Sequence, residues 1–276
     1  MTESQGIDIL GQYLDASLCY DLTEQPFTSH VAGNWEGFVG LNINRFYFPR
    51  HKVFDYQISE KHPEWRFFNA TGAFNREYCY REHERQILKD NADAIGSLNP
   101  EPMLRSMVPL VYVNRFSTTN KTVYTIYNAG TSTVQKNLIA IVPRDNFHFV
   151  DLYRYSEVRT IFRDGHVIVA LDLESRAVSC IAYLPVCMEL ALQLPNLKVR
   201  LRKDLVDASI KLFNQDGEIL SEGQLQNGEC LLPFPPDSGK TICKLYQGTY
   251  LVDAMPCSTT IPSSSKSSAV SPTLPD

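Results

Sequence analysis

Several features are scarce or missing in this 276-residue sequence, and each absence removes a class of function. No dense basic cluster occurs and the formal net charge is −5, which argues against a general polyanion or nucleic-acid binder. The most positive stretch, Lys198, Arg200, Arg202 and Lys203, alternates as the solvent face of a strand would. No apolar run reaches the ~18 residues that a membrane helix needs. The best candidate, Cys180 to Leu194, is interrupted by Pro185 and Glu189. Met1-Thr2-Glu3-Ser4-Gln5 lacks the basic-then-apolar layout of a signal peptide, so a cytoplasmic location is the default expectation. The 7 cysteines are odd in number and widely scattered, which points to reduced thiols and not to a disulfide framework.

Motifs of common chemistry are also missing. Cys79 and His83 have helical metal-ligand spacing, but no second pair accompanies them, so no metal site is expected. His83-Glu84-Arg85-Gln86-Ile87 lacks the second histidine of a zinc-protease helix. Ser238-Gly239-Lys240-Thr241 has Phe234 where a phosphate loop requires its first glycine. No Gly-x-Ser-x-Gly occurs, and no dinucleotide fingerprint follows a strand. No cofactor is implied.

Of the aromatics, both tryptophans and half of the rest precede residue 81. The texture changes at Pro109. Upstream, Gly6–Asp15 reads as a buried strand with polar groups at its carboxyl end, Gly40–Phe48 as a second strand and Lys52–Tyr56 as a third. From about Asn75 to Ile95 the pattern is helical, with Tyr80, Ile87, Ala94 and Ile95 sharing a face. Gly96 suits a left-handed C′ position, and Pro100 blocks continuation. Downstream, seven short strands are expected near 110–116, 121–128, 134–142, 147–153, 158–162, 166–172 and 177–184, the pattern of a β-sandwich. Arg163-Asp164-Gly165 is a hairpin signal, because turn positions with positive φ favour Asp and Gly. A second β unit is expected over about Leu197–Met255, with a hairpin turning at Asn214-Gln215-Asp216-Gly217. The Ser/Pro/Thr-rich tail from Ser258 is expected to be disordered or a linker.

The densest chemistry lies over Asn42–Tyr56, where Arg45, Arg50, His51 and Asp55 stand among aromatics. Sugar sites use that mixture: flat apolar faces stack on pyranose C–H groups, and charged hydrogen bonds orient hydroxyls. An Arg–Asp structural pair within an aromatic core is the ordinary alternative. Asp15 and Asp21 flank Cys19-Tyr20 after the first strand, where α/β barrels place chemistry, although capping by Asp15 and solvation of Asp21 are the more ordinary reading of this segment. Trp35 and Trp65 offer stacking platforms, although burial is the commoner fate of a lone tryptophan. Glu77, Glu82 and Glu84 read chiefly as a solvated helix face.

Trp65-Arg66-Phe67-Phe68-Asn69-Ala70-Thr71-Gly72, the helix to Ala94 and Ser97-Leu98-Asn99-Pro100-Glu101-Pro102 form one recognisable block. Tyr112-Val113-Asn114-Arg115-Phe116 leading into Val123-Tyr124-Thr125-Ile126-Tyr127-Asn128 forms another. Together they resemble the carboxyl-terminal part of glycoside-hydrolase-like proteins, in which a (β/α)8 barrel passes into an antiparallel β-domain. The resemblance covers about residues 5–195. It implies an α/β fold followed by all-β: a partial barrel end over 1–105, a β-sandwich over 106–195, a small β module over 196–256 and a tail over 257–276.

A full barrel takes about 250 residues, so the front end holds only the terminal βα units, and an amino-terminal barrel portion would be a partner. In that reading Asp15 and Asp55 are the candidate catalytic carboxylates, and Tyr13, Tyr20, Trp35, Arg45, Tyr47 and His51 bind carbohydrate. The chain would not be catalytically complete alone. The competing expectations are a non-catalytic protein that binds carbohydrate or protein through its β modules, with Tyr112, Tyr124, Tyr153 and Tyr155 coplanar on the sandwich, and an incomplete gene product with no independent role. A truncated barrel predicts unusually exposed apolar side chains over 1–105.

Overall fold

The computed structural model describes residues 2–3, 16–20, 45–46, 52–56, 63–73, 80–203 and 205–257. For 2–3, 16–20, 52–56, 63 and 72–73 it describes the backbone alone. In chain order the first strands are β1 (Thr2–Glu3), β2 (Ala16–Tyr20), β3 (Lys52–Tyr56) and β4 (Gly72–Ala73), which pair in parallel in that order. The helices are α1 (Pro63–Asn69), α2 (Glu82–Asp90) and α3 (Ala92–Ile95).

Nine strands follow: β5 (Glu101–Leu104), β6 (Val111–Ser117), β7 (Thr122–Asn128), β8 (Val134–Ile141), β9 (Phe147–Asp151), β10 (Ser156–Glu157), β11 (Arg159–Arg163), β12 (His166–Leu173) and β13 (Val178–Pro185). They form a six-stranded sheet, β10-β9-β13-β7-β6-β5, facing a three-stranded sheet, β11-β12-β8. The last seven are β14 (Met188–Gln193), β15 (Asn196–Leu201), β16 (Ala208–Asn214), β17 (Ile219–Gln224), β18 (Glu229–Pro233), β19 (Thr241–Gln247) and β20 (Tyr250–Cys257). They form the sheets β14-β15-β18 and β17-β16-β19-β20. All pairings from β5 onward are antiparallel.

Strand periodicity explains how three cores share these sheets. In β7, Tyr124 and Ile126 point into the first sandwich beside Val113, Leu138, Val169 and Ile181. Val123 and Tyr127 point the other way, into a central core with Phe67, Phe68 and Cys180. Every residue of β7 is therefore buried, which is why its sequence is nearly continuous in apolar and β-branched residues. The second sandwich repeats the logic. Ile210, Leu212, Cys243 and Leu245 face its own interior with Val199 and Leu232, whereas Phe213, Ile242 and Tyr246 face the central core.

The helices fill the space between the two β units. Phe67 and Phe68 of α1 have no exposed surface, and truncating either to alanine costs about 3–5 kcal/mol. The terminal carbonyl of α1 at Phe68 accepts hydrogen bonds from Asn114 Nδ2 (2.9 Å) and Thr125 Oγ1 (2.6 Å), so sheet side chains satisfy a group the helix leaves open.

This arrangement corrects the expected fold class. The described residues are mostly strand, in four antiparallel sheets with only three helices, and are not the end of an α/β barrel. The helices pack between β units and do not ring a parallel sheet. Nor is the expected uncovered apolar surface found among the described residues before 106. Phe46, Trp65, Phe67, Phe68, Ile87 and Ala94 are buried, and Leu98 is the exposed large hydrophobic.

Three local expectations also differ. Arg45 and Phe46 are helical, not part of a strand. The described helix begins at Glu82 and is broken at Asn91. Gly96 closes α3 with φ −76, and a Cβ there would meet the Ala92 carbonyl at 2.9 Å, so close approach and not a left-handed backbone excludes a side chain. The strands expected downstream of Pro109 are present, as is the Asp164-Gly165 turn with φ 52 and 75. Gly6–Asp15 and the tail from Ser258 lie outside the described residues. Among the described residues no helix is long and apolar enough to cross a membrane.

Candidate functional site

A cleft of about 830 Å³ opens where the helices meet both β units. Glu64 and Arg66 of α1 form one wall, and Arg81, His83 and Glu84 at the start of α2 form the next. Tyr153 and Arg154 come from the β9–β10 turn, Glu174 and Arg176 from the β12–β13 turn, and Gln215 and Asp216 from the β16–β17 turn.

Each segment is held by identifiable bonds. Glu84 accepts the Arg81 backbone N–H through Oε2 (3.1 Å), closing the first turn of α2, and its Oε1 accepts the Tyr153 hydroxyl (2.8 Å). The Tyr153 ring packs edge-on against His83 (4.8 Å) and Phe67 (5.5 Å). Burial, with the Glu84 carboxylate beside it, pushes the Tyr153 phenol well above its ordinary value, so the hydroxyl remains a donor. Burial also lowers His83 from the ordinary imidazole value, against the opposing pull of Glu84.

Behind Tyr153, buried Asp151 organises the turn. It accepts the backbone N–H groups of Tyr153 and Arg154, each at 2.9 Å, and the Ser179 hydroxyl at 3.3 Å. Burial raises its pKa, and the nearby Arg154 opposes the shift.

The far wall is set by Gly217. Its φ is +87, and a Cβ there would lie 2.8 Å from His83 Cα, so the β16–β17 turn reaches α2 only because this residue has no side chain. Deeper in the junction, Lys244 of β19 pairs with Asp90 of α2 at 2.8 Å. Asp90 also accepts Gln86 Nε2 (2.6 Å) and the Tyr246 hydroxyl (3.1 Å). Lys121, from the β6–β7 turn, bonds Asp93 (2.7 Å) and the Leu251 carbonyl (2.8 Å). Burial lowers its pKa, which Asp93 counteracts.

Arg66, Arg81, Arg154 and Arg176 balance Glu64, Glu84, Glu174 and Asp216 around the opening. A balanced set of donors and acceptors beside a tyrosine suits a neutral ligand that is rich in hydroxyls better than a polyanion. Among the described residues no group of His, Cys, Asp and Glu is arranged to hold a metal ion.

Of the residues expected from sequence, Asp15, Tyr13, Trp35, Tyr47 and His51 lie outside the described residues. Tyr20 and Asp55 are described by backbone alone: Asp55 pairs with Cys19 and Tyr20 with Tyr56, near the carboxyl ends of adjacent parallel strands. Arg45 is buried, its guanidinium 5.2 Å from the centre of the Phe116 ring and hydrogen-bonded to the Ile95 carbonyl. Burial depresses its pKa to about 10. Trp65 is buried in the central core.

The four tyrosines considered as a platform do not share an exposed face. Tyr124 lies inside the first sandwich, Tyr155 is buried in the central core, and Tyr112 and Tyr153 are packed against that core. Sequence reasoning missed the cleft because it treated Glu84 as a solvated helix residue. The spacing of Arg81 and Glu84 is that of a capping pair, but arginine in place of serine or threonine hides the usual signature.

No protein-family model matches the chain, and no curated protein matches it. Solved structures with a partial likeness include CldA, a cyclomaltodextrin glucanotransferase with a three-domain ABC distribution (12% identity, TM-score 0.31, covering 48% of this chain and 36% of that one). A GH30 endoxylanase from Clostridium papyrosolvens C71 has 10% identity and a TM-score of 0.32, with 65% and 51% covered. The glycoside hydrolase family 30 subfamily 8 xylanase Xyn30A from Clostridium acetobutylicum has 11% identity and a TM-score of 0.35, with 66% and 55% covered. The chain thus spans between about a third and just over half of each of these proteins. Similarity this low carries no argument about activity, and the functional reading rests on the cleft.

Proposed function

We propose that the chain recognises neutral carbohydrate in the junction cleft, as a glycoside-hydrolase-like carbohydrate-active protein. The observation that carries this reading is the charge-balanced set of arginines and carboxylates around the Tyr153 hydroxyl. Sugar hydroxyls donate and accept at once, so they can bond to guanidinium and carboxylate groups together without bringing net charge into the cleft. The turn residues Glu174 and Arg176 reach the opening from exposed positions and serve as the polar rim.

The test is calorimetric titration of the full chain with neutral oligosaccharides, and with a uronate-containing oligosaccharide for contrast. Neutral ligands should bind with Kd values between about 1 μM and about 1 mM. Glu174→Gln and Arg176→Asn should each weaken binding at least several-fold. Asn is chosen because Arg176 has φ 58, a left-handed conformation that asparagine tolerates. Absence of neutral-sugar binding, or binding indifferent to both substitutions, contradicts the reading.

A second reading is supported by the parallel register of β2 and β3, which sets Asp55 near a strand's carboxyl end, where parallel sheets place ligand-binding groups. In it Asp15 and Asp55 act as the carboxylate pair, with Tyr13, Tyr20, Trp35, Arg45, Tyr47 and His51 holding the sugar. Glycoside hydrolysis by the isolated chain, abolished by Asp15→Asn and by Asp55→Asn, would favour it over the binding role.

A further inference from the structure

We infer that a second cavity binds a phosphate monoester of a hydroxylated ring compound, with Arg144 and Lys203 holding the phosphate. The cavity measures about 780 Å³ and shares no lining residue with the junction cleft, so the inference stands apart from the carbohydrate reading. Backbone pairing draws its walls together. The Val186 N–H donates to the Asn146 carbonyl and the Arg202 N–H to the Cys187 carbonyl, each at 2.8 Å. The β13–β14 connection thereby joins the β8–β9 loop, which carries Arg144, to the β15–β16 loop, which carries Lys203. The Lys203 ammonium acts on Cys187, opposing the rise that burial and Asp253 impose on that thiol.

Arg144 is fixed before any ligand arrives. Its backbone N–H donates to the buried Tyr183 hydroxyl (2.6 Å), which donates in turn to the Arg144 carbonyl (3.3 Å). Its guanidinium stacks 3.9 Å from the centre of the Phe147 ring, and Nη2 donates to the Thr119 carbonyl (2.6 Å). Most of its N–H donors remain, in the planar fork that fits two oxygens of one phosphate.

The charge pattern selects the ligand's head group. Two cations of the lining already have partners: Lys121 pairs with Asp93 (2.7 Å) and Arg202 with Glu189 (2.9 Å). Among the described residues no carboxylate forms an ion pair with Arg144 or Lys203. Two unpaired cations suit a phosphate monoester, which carries about −1.5 to −2 at neutral pH, better than a single carboxylate. The rest of the lining describes the body of the ligand. Asp145 and the side-chain amides of Asn120 and Asn146 make no ion pair or hydrogen bond among the described residues, and they suit ring hydroxyls. Tyr250, 46% exposed, offers an aromatic surface for the ring.

The test is calorimetric titration of the full chain with a hexose 6-phosphate and a nucleoside 5′-monophosphate, and with inorganic phosphate for contrast. At least one ester should bind with a Kd of about 1 mM or tighter, roughly tenfold tighter than inorganic phosphate, and the ester that binds identifies the body. Arg144→Gln and Lys203→Gln, both at exposed positions, should each weaken that ester about tenfold or more. Arg144→Lys keeps the charge but not the fork and should recover only part of the loss. Asp145→Asn removes the opposing charge, keeps an acceptor and should tighten binding. Glu174→Gln, in the junction cleft, should leave ester affinity unchanged, which separates a failure here from a failure of the carbohydrate reading. No binding of either ester at about 10 mM, ten times the weakest expected Kd, overturns the inference. So does inorganic phosphate binding as tightly as both esters, or an affinity indifferent to Arg144→Gln or to Lys203→Gln.

Discussion

Lys244 and Asp90, 154 positions apart in the chain, form an ion pair at 2.8 Å with each side chain only 1% exposed. It joins the second sandwich to α2 directly behind the cleft. Removing one partner strands the other charge in the interior, so Lys244→Met should destabilise the protein by about 3–5 kcal/mol. Asp90→Asn should cost a similar amount, and the double variant less than the sum, because the stranded charge is then gone. Urea unfolding of the three variants checks this.

Gly217 and Gly228 provide a matched comparison. Both have positive φ (+87 and +77), so alanine at either costs about 1–2 kcal/mol in backbone strain. Only at Gly217 does the new methyl collide, with the backbone of His83, whereas nothing lies within 4 Å at Gly228. Gly217→Ala should therefore lower thermal stability more than Gly228→Ala, and should also impair ligand binding by moving the wall of the cleft.

Asp151 gives a pH prediction with a definite sign. Burial raises its folded-state pKa above the unfolded value. Its contribution to stability is present below the unfolded pKa and is lost as pH rises through the folded pKa. Asp151→Asn keeps an acceptor for the Tyr153 and Arg154 N–H groups and should remove this acid-side slope with little loss of stability at neutral pH. Asp151→Ala leaves those donors unsatisfied and should cost about 1–3 kcal/mol. Stability measured against pH for the three proteins distinguishes the cases.

Thiol reactivity should be low in the native state. Cys180, Cys187, Cys230, Cys243 and Cys257 are free and buried. Burial raises each of their pKa values, that of Cys257 to about 12. Reaction with a disulfide reagent at neutral pH should leave these five unmodified until the protein unfolds.

The antiparallel strands were legible because local chemistry specifies them. Asp164-Gly165 and Asn214–Gly217 are turns by virtue of their residues, and the segment 121–128 reads as a strand, which the structure buries on both faces. The front end was less legible for a physical reason. Tyr80, Ile87, Ala94 and Ile95 carry a helical apolar pattern whichever partner they meet, and the pattern does not say whether that partner is a barrel or the outer faces of two β units. The cleft depends on contacts across long chain separations, such as the 69 positions between Glu84 and Tyr153, which no local periodicity encodes. Arg45 was legible as a residue that needs partners, but not as one that stacks on Phe116.

The central claim, neutral carbohydrate in the junction cleft, is tested most directly by mapping backbone amide shifts of the labelled full chain during titration with a neutral oligosaccharide. Saturable changes should concentrate at Glu84, Tyr153, Arg154, Arg176 and Gln215, where α2 and three separate turns meet. Saturable changes confined to another surface, or no change at about 10 mM ligand, ten times the weakest expected Kd, would contradict it.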